Sequence, residues 1–291
     1  MSAMGEHDGK VIAVVGATGL QGRAVSRRLL ARGWRVRALT RKPDGEAARA
    51  LAGLGAEVVK ADSTDRASLE RSFAGAHGVY SVQNHHISGL DGEVAQGRTV
   101  ADAAAGAGAG HLVYASAGTG DRNTGVGSWD VKLAVIDHIR QLDVPLTVLR
   151  PMAFMELMTD KKFYPPASVW HLMPKLMGED RPVGWISVDD VAVIAEKAFA
   201  EPGAYAGREL SLASDVQSIK ECRAIWGDVT GKAPRRFPMP VWLFERFSGT
   251  DETTMWRWLR DNHVDLDTGP TFQAHPGART VRAWLSARSA P

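Results

Sequence analysis

Gly16, Gly19 and Gly22 punctuate the segment GATGLQG, directly after a short apolar run from Val11 to Val15. Glycines so placed let a phosphate approach the backbone, and the amides of a helix opening there would point at it. Further on, Leu39-Thr40-Arg41-Lys42-Pro43 sets two cations where a second strand should end, with no carboxylate before Asp44. An acid at that place holds ribose hydroxyls, whereas a guanidinium and an ammonium suit a 2′-phosphate. The pattern therefore predicts NADP(H) rather than NAD(H). Asp62-Ser63 follows a third apolar run, and Asp62 either accepts from an adenine amino group or caps the next helix.

Hydride transfer to a carbonyl also needs a proton donor near the developing alkoxide. Lys132 is the leading candidate, expected early in a helix at the carboxyl edge of the sheet. It either moves a proton or only holds the nicotinamide ribose. Ser116, in LVYASAG, is a donor to a substrate oxygen or a satisfied loop hydroxyl. His85 and His86 follow the fourth strand, and an imidazole titrates near neutrality, so either could act as an acid or orient substrate. Neighbours in an extended loop point apart, so no two-histidine metal site is expected.

Positioning these groups requires regular elements, and the first half alternates them. Strands are predicted at Val11 to Val15, Val36 to Leu39, Glu57 to Val59, Val79 to Val82, Leu112 to Ala115 and Leu146 to Leu149. Helices are predicted between them over 20–32, 46–54, 66–74, 93–109 and 130–141. This is an α/β fold, a doubly wound parallel sheet with helices on both faces. After Pro151 the rhythm breaks. Met152, Met155, Met158, Met173 and Met177, with Phe154, Phe163 and Trp170, form either an apolar substrate wall or the packing of a lobe. Tyr164 is the one tyrosine of the second half that could reach a pocket. Helices return at Asp189 to Phe199, with Asp189 and Asp190 capping, and at Thr280 to Ala287. Residues 1–150 thus read as a nucleotide-binding domain, and 151–291 as a smaller irregular α/β substrate lobe returning segments to the core.

Composition narrows the class. The 291 residues are 44% hydrophobic and 23% charged with a net charge of +2, a globular balance too even for gripping a nucleic-acid backbone. The cluster Lys232, Arg235 and Arg236 is too small to change that. No stretch is apolar enough for a membrane span or signal peptide. The single cysteine, Cys222, excludes an internal disulfide or thiolate cluster, reads as a buried apolar residue, and suits a cytoplasmic location.

Several motifs resemble the NmrA-like family, an atypical branch of the short-chain dehydrogenase/reductases. They are GATGLQG, the LTRKP turn, GAEVVKAD (Gly55 to Asp62), SVQN (Ser81 to Asn84), EVAQGR (Glu93 to Arg98), WDVKLAVIDHIR around Lys132, LRPMAFME (Leu149 to Glu156), SVDDVA (Ser187 to Ala192) and the tail from Val264 to Trp284. The resemblance spans nearly the whole chain and is closest to NADP(H)-sensing redox-sensor members, extending to isoflavone-reductase-like enzymes. It implies a Rossmann fold with strand order 3-2-1-4-5-6 and a covered pocket. It also implies phosphate contacts at Gly16, Thr18, Gly19, Leu20, Gln21 and Gly22, and 2′-phosphate contacts at Arg41 and Lys42. Gln83, Asn84, Lys132 and Phe154 would lie near the nicotinamide. Two departures stand out. Ser128 occupies the place of a tyrosine four residues before the lysine, and His85-His86 replace aromatics.

The expected function is an NADPH-dependent reductase of a hydrophobic carbonyl, quinone or enone. The alternative is a non-catalytic NADPH/NADP sensor acting through a homodimer or a regulatory protein partner. Neither a metal, a membrane nor direct nucleic-acid binding is expected.

Overall fold

In the computed structural model, residues 7, 9–159, 168–236 and 238–289 are described. All four residues of β1 (Val11–Val14) are buried, as in a strand covered on both faces. It leads into α1 (Leu20–Ala31), which buries Ala24, Val25 and Leu29 and keeps Arg27 in solvent. The alternation continues through β2 (Arg35–Thr40), α2 (Glu46–Gly53), β3 (Glu57–Lys60), α3 (Arg66–Phe73), β4 (Gly78–Ser81), α4 (His85–Gly106), β5 (Leu112–Ala115), α5 (Gly127–Ile139) and β6 (Leu146–Pro151). The later chain holds β7 (Ala153–Phe154), a 3₁₀ turn (Met155–Met158), α6 (Met173–Met177), β8 (Pro182–Ile186), α7 (Val188–Ala200), α8 (Pro202–Tyr205), β9 (Glu209–Leu212) and β10 (Asp215–Ser218). Helices α9 (Ile219–Thr230), α10 (Val241–Ser248), α11 (Asp251–Asp261), α12 (Gly269–Ala274) and α13 (Val281–Ser289) complete it.

The large sheet has the order β3-β2-β1-β4-β5-β6-β9, and its first six strands pair in parallel. This is the expected Rossmann order with a seventh strand at the edge. A smaller sheet, β10-β8-β7, lies in the later chain. The residues group into two compact units interleaved in sequence. One comprises Met1–Ser116, Val131–Leu149 and Val191–Leu210, the other Ala117–Asp130, Arg150–Asp190 and Ser211–Pro291. In the first unit, Leu69, Phe73, Val79, Val100, Leu112, Val135 and Ile136 share one core.

Several expectations change. The fourth helix begins at His85 rather than Glu93, because Asn84 Oδ1 accepts from the His86 amide at 2.9 Å and starts it early. Gly89, at φ +73°, kinks the helix and hides its period. Lower down, a Cβ at Gly97 would lie 2.6 Å from Val135, so the small residues let α4 and α5 approach closely. The aperiodic stretch after Pro151 has a different cause. Met155, Met158, Trp170, Met173 and Met177 are all buried in one cluster with Trp185, Trp256 and Trp284. Side chains covered all round carry no amphipathic stripe. These five pack the second unit, while Met152 and Phe154 stay half-buried. Phe163 and Tyr164 fall outside the described residues.

Ser187, rather than either aspartate, caps α7. Its Oγ accepts from the Asp190 amide at 3.1 Å and donates to Asp190 Oδ2 at 2.7 Å. Buried Asp190 also receives the Arg279 amide at 3.2 Å and faces His275 Nε2 at 3.3 Å. Both oxygens of buried Glu156 lie 3.2–3.3 Å from the Val188 amide, and burial pushes its carboxyl up to about 7. The folded state therefore holds this proton more tightly than the unfolded chain, whose value is near 4.5, and stability falls as pH rises through that window. Glu156→Gln keeps an acceptor without the charge. Its stability relative to wild type should rise by on the order of 2 kcal/mol between about pH 5 and about pH 8 in urea unfolding.

Candidate functional site

The turn after β1 is built by close backbone approach. Gly16 has φ +72°, and a Cβ on it would lie 2.8 Å from Val82 Cγ1 and 2.9 Å from the Val82 carbonyl oxygen. At Gly22 a Cβ would run into the Gly16 carbonyl, 2.6 Å from its carbon. Gly19 is the N-cap of α1, makes no side-chain cap, and is followed by a first turn without acids. The first amides of α1 are thus left for an anion, with Thr18, Leu20 and Gln21 lining the turn. Gln21 Oε1 accepts from the Tyr80 hydroxyl at 3.3 Å.

Arg41 and Lys42 follow the last residue of β2 and are exposed. Among the described residues no hydrogen bond or ion pair holds either side chain. Beyond β3, Asp62 Oδ1 accepts from the Thr64 amide at 2.9 Å and the Thr64 hydroxyl at 2.8 Å. These bonds hold the Asp62 carboxyl below its ordinary value, helped by the charge of Arg41. Asp65, not Asp62, caps α3, accepting from the Ser68 amide at 3.0 Å. That removes the capping role for Asp62, which lies half-buried with Ser63.

The ends of β4 and β5 carry the other polar groups. Gln83 is buried, donates from Nε2 to Ser81 Oγ at 2.9 Å, and has no partner for Oε1 among the described residues. Ser116 Oγ, just past β5, is buried and likewise unpartnered. Lys132 Nζ donates to the Gln83 carbonyl at 3.0 Å, sits 2.6 Å from Glu93 Oε1, and lies 5.6 Å from the centre of the Tyr114 ring. Glu93 is fully buried, and its Oε2 is 3.6 Å from His85 Nδ1. Burial alone would raise the Glu93 carboxyl, but His85 and Lys132 together outweigh it and hold it below its ordinary value.

Lys132, Gln83, Ser116 and His85 therefore share the first unit's carboxyl edge with a residue the motif reading overlooked. Glu93 opens the EVAQGR segment, and nothing in its local sequence separates it from Asp91 and Asp102 of the same helix. His85 and His86 do not lie in an extended loop. They form the first turn of α4 with ring centres 4.0 Å apart. Asn84 Oδ1 is committed to that turn. Phe154 belongs to β7 in the second unit.

A doubly wound sheet with a glycine cradle after β1 and buried polar atoms at the ends of β4 and β5 defines a Rossmann-type nucleotide fold. The chain belongs to the NmrA-like family, whose model matches residues 8–268. A relative, the NmrA-like family domain-containing oxidoreductase FrzB of Cladobotryum sp., is 33% identical over 80% of this chain and 77% of its own length. Among solved structures, NmrA, a negative transcriptional regulator in complex with NADP, aligns with TM-score 0.76 at 21% identity, covering 97% of this chain and 95% of that one. The NADPH-dependent quinone oxidoreductase QOR2 of Escherichia coli, complexed with NADPH, aligns with TM-score 0.72 at 20% identity, covering 96% and 100%. At those identities the structures share the fold. Among the described residues no helix is long and apolar enough to cross a membrane.

Because nothing near Gly22 is the flexible end of a side chain, Gly22→Ala must move backbone. It should destabilise the protein by about 3 kcal/mol, read as a lower urea midpoint at unchanged slope.

Proposed function

We propose that this protein binds NADP(H) and reduces a hydrophobic carbonyl, quinone or enone. The observation that carries the reading is the pair of buried, unpartnered atoms Gln83 Oε1 and Ser116 Oγ at the carboxyl edge, beside charged Lys132. Buried polar atoms are ordinarily hydrogen-bonded, and two open ones at the edge where such sheets bind ligands support a polar ligand there. The glycine cradle fits a pyrophosphate, and Arg41 with Lys42 fits a 2′-phosphate. Asp62 and Ser63 sit beyond β3 for the adenine. Residues 1–150 supply the nucleotide-binding role and residues 151–291 the substrate-recognising one, in a cytoplasmic protein. FrzB carries the name oxidoreductase, and QOR2 is a quinone reductase using NADPH, which supports this choice of reaction.

Bound NADPH supplies the hydride. The Lys132 ammonium has three donors, two directed to Glu93 and the Gln83 carbonyl, and the third holds the nicotinamide ribose. Ser116 Oγ donates a hydrogen bond to the substrate oxygen. The proton that completes the alcohol leaves His85 Nε2, because Nδ1 faces Glu93. A sensor function is the second reading. Ser128, standing where reductases of this superfamily carry a tyrosine, favours it, as does the regulator NmrA, and it calls for a homodimer or a regulatory partner.

Calorimetry of Arg41→Ala/Lys42→Ala should show NADPH affinity reduced roughly ten- to hundredfold with NADH affinity little changed. Absorbance assays with a panel of quinones, enones and aldehydes should show NADPH oxidation by at least one. Tight NADPH binding without oxidation of any would replace the reductase reading by the sensor.

A further inference from the structure

We infer that Glu93 is a specificity-determining residue that sets the preference of the site between the oxidised and reduced cofactor. The inference rests on NADP(H) binding as read above but not on any catalysed reaction.

Strand order places the pair. A dinucleotide with its pyrophosphate on the turn after β1 and its 2′-phosphate beside Arg41 and Lys42 has its adenosine half on the β2 side. In the order β3-β2-β1-β4-β5-β6, the other half must then lie over β4 and β5. That edge holds Gln83, whose carbonyl receives Lys132 Nζ at 3.0 Å, and so holds the Glu93 contact 2.6 Å from the same nitrogen.

The two cofactor forms differ there by one unit charge, since the oxidised nicotinamide ring is cationic and the reduced ring neutral. A lone lysine would repel the oxidised ring and select NADPH. Glu93 cancels that bias, and its burial decides how strongly. With the Glu93 side chain 0% and the Lys132 side chain 8% exposed, solvent and salt screen neither charge well. His85 Nδ1, 3.6 Å from Glu93 Oε2, adds a second group that keeps the carboxylate ionised. A carboxylate serving only to satisfy Lys132 would support both cofactor forms equally. One acting through charge must tell them apart.

The test measures NADP+ by calorimetry and NADPH by fluorescence titration on the full chain, with thermal melting as a check of folding. In Glu93→Gln the ammonium is uncompensated, and the ratio Kd(NADP+)/Kd(NADPH) should rise by about tenfold. In Lys132→Met the carboxylate loses its ammonium and keeps only His85 beside it, and the ratio should fall below that of wild type. Opposite movements support the inference, and either variant suffices should the other not fold. Equal weakening of both forms, leaving the ratio at its wild-type value, overturns it. Failure of the wild type to bind either dinucleotide overturns the NADP(H) reading itself, a result seen before any variant is made.

Discussion

How tightly the chain doubles back after β1 governs much of what the first unit can do. Gly16 meets the backbone of Val82 while Gly22 meets the carbonyl of Gly16, and neither position has room for a single further carbon. That approach brings α1 onto the sheet with its amino end uncapped and its first turn free of acids. An anion site made of backbone amides depends on such closeness, because a side chain there would occupy the place of the phosphate. Position along the sheet follows from it. Once the turn after β1 is fixed, Arg41 lies to one side and Gln83 with Lys132 to the other, in an order set by parallel pairing.

Both units spend burial on carboxylates, to different ends. In the second unit, Asp190 is surrounded by Ser187 and the 275–279 segment, so it pins the chain's late residues to the start of α7. Glu156 meets backbone amides, with no cation in contact among the described residues, and burial raises its carboxyl. In the first unit, Glu93 meets an ammonium, and its carboxyl moves the opposite way. The contrast follows from partner type: a neutral donor does not offset desolvation of a charge, whereas a cation in contact does.

Much of the first unit was legible in the sequence, since its strands are short apolar runs and its helices have one wet face. The strand order came from family resemblance rather than from any pattern in the residues. What stayed hidden was hidden for physical reasons. The start of α4 lies before Gly89, whose positive φ interrupts the helical period, so His85 and His86 looked like loop. Glu93 looked like one more solvated acid, because burial of a charge is a property of three-dimensional neighbours and leaves no local mark. The methionine-rich stretch lacked a period because its residues are enclosed on all sides by the tryptophans of the second unit. Asp62 offered two roles from its type alone, and only the cap on Asp65 separated them.

The surroundings of Lys132 also explain how the site can lack a tyrosine. A phenol four residues earlier would stand one helical turn away and could share a proton with the lysine. Here Ser128 stands at that place, and its amide is bound to Asp251 Oδ1 at 3.1 Å. A serine hydroxyl is too short and too weakly acidic to replace the phenol. The lysine meanwhile is neutralised by a carboxylate from α4, so its charge is balanced within the first unit. Its two contacts, to Glu93 Oε1 and to the Gln83 carbonyl, fix where the end of the side chain sits. His85 borders the same pair from the first turn of α4, its side chain 20% exposed while it touches fully buried Glu93.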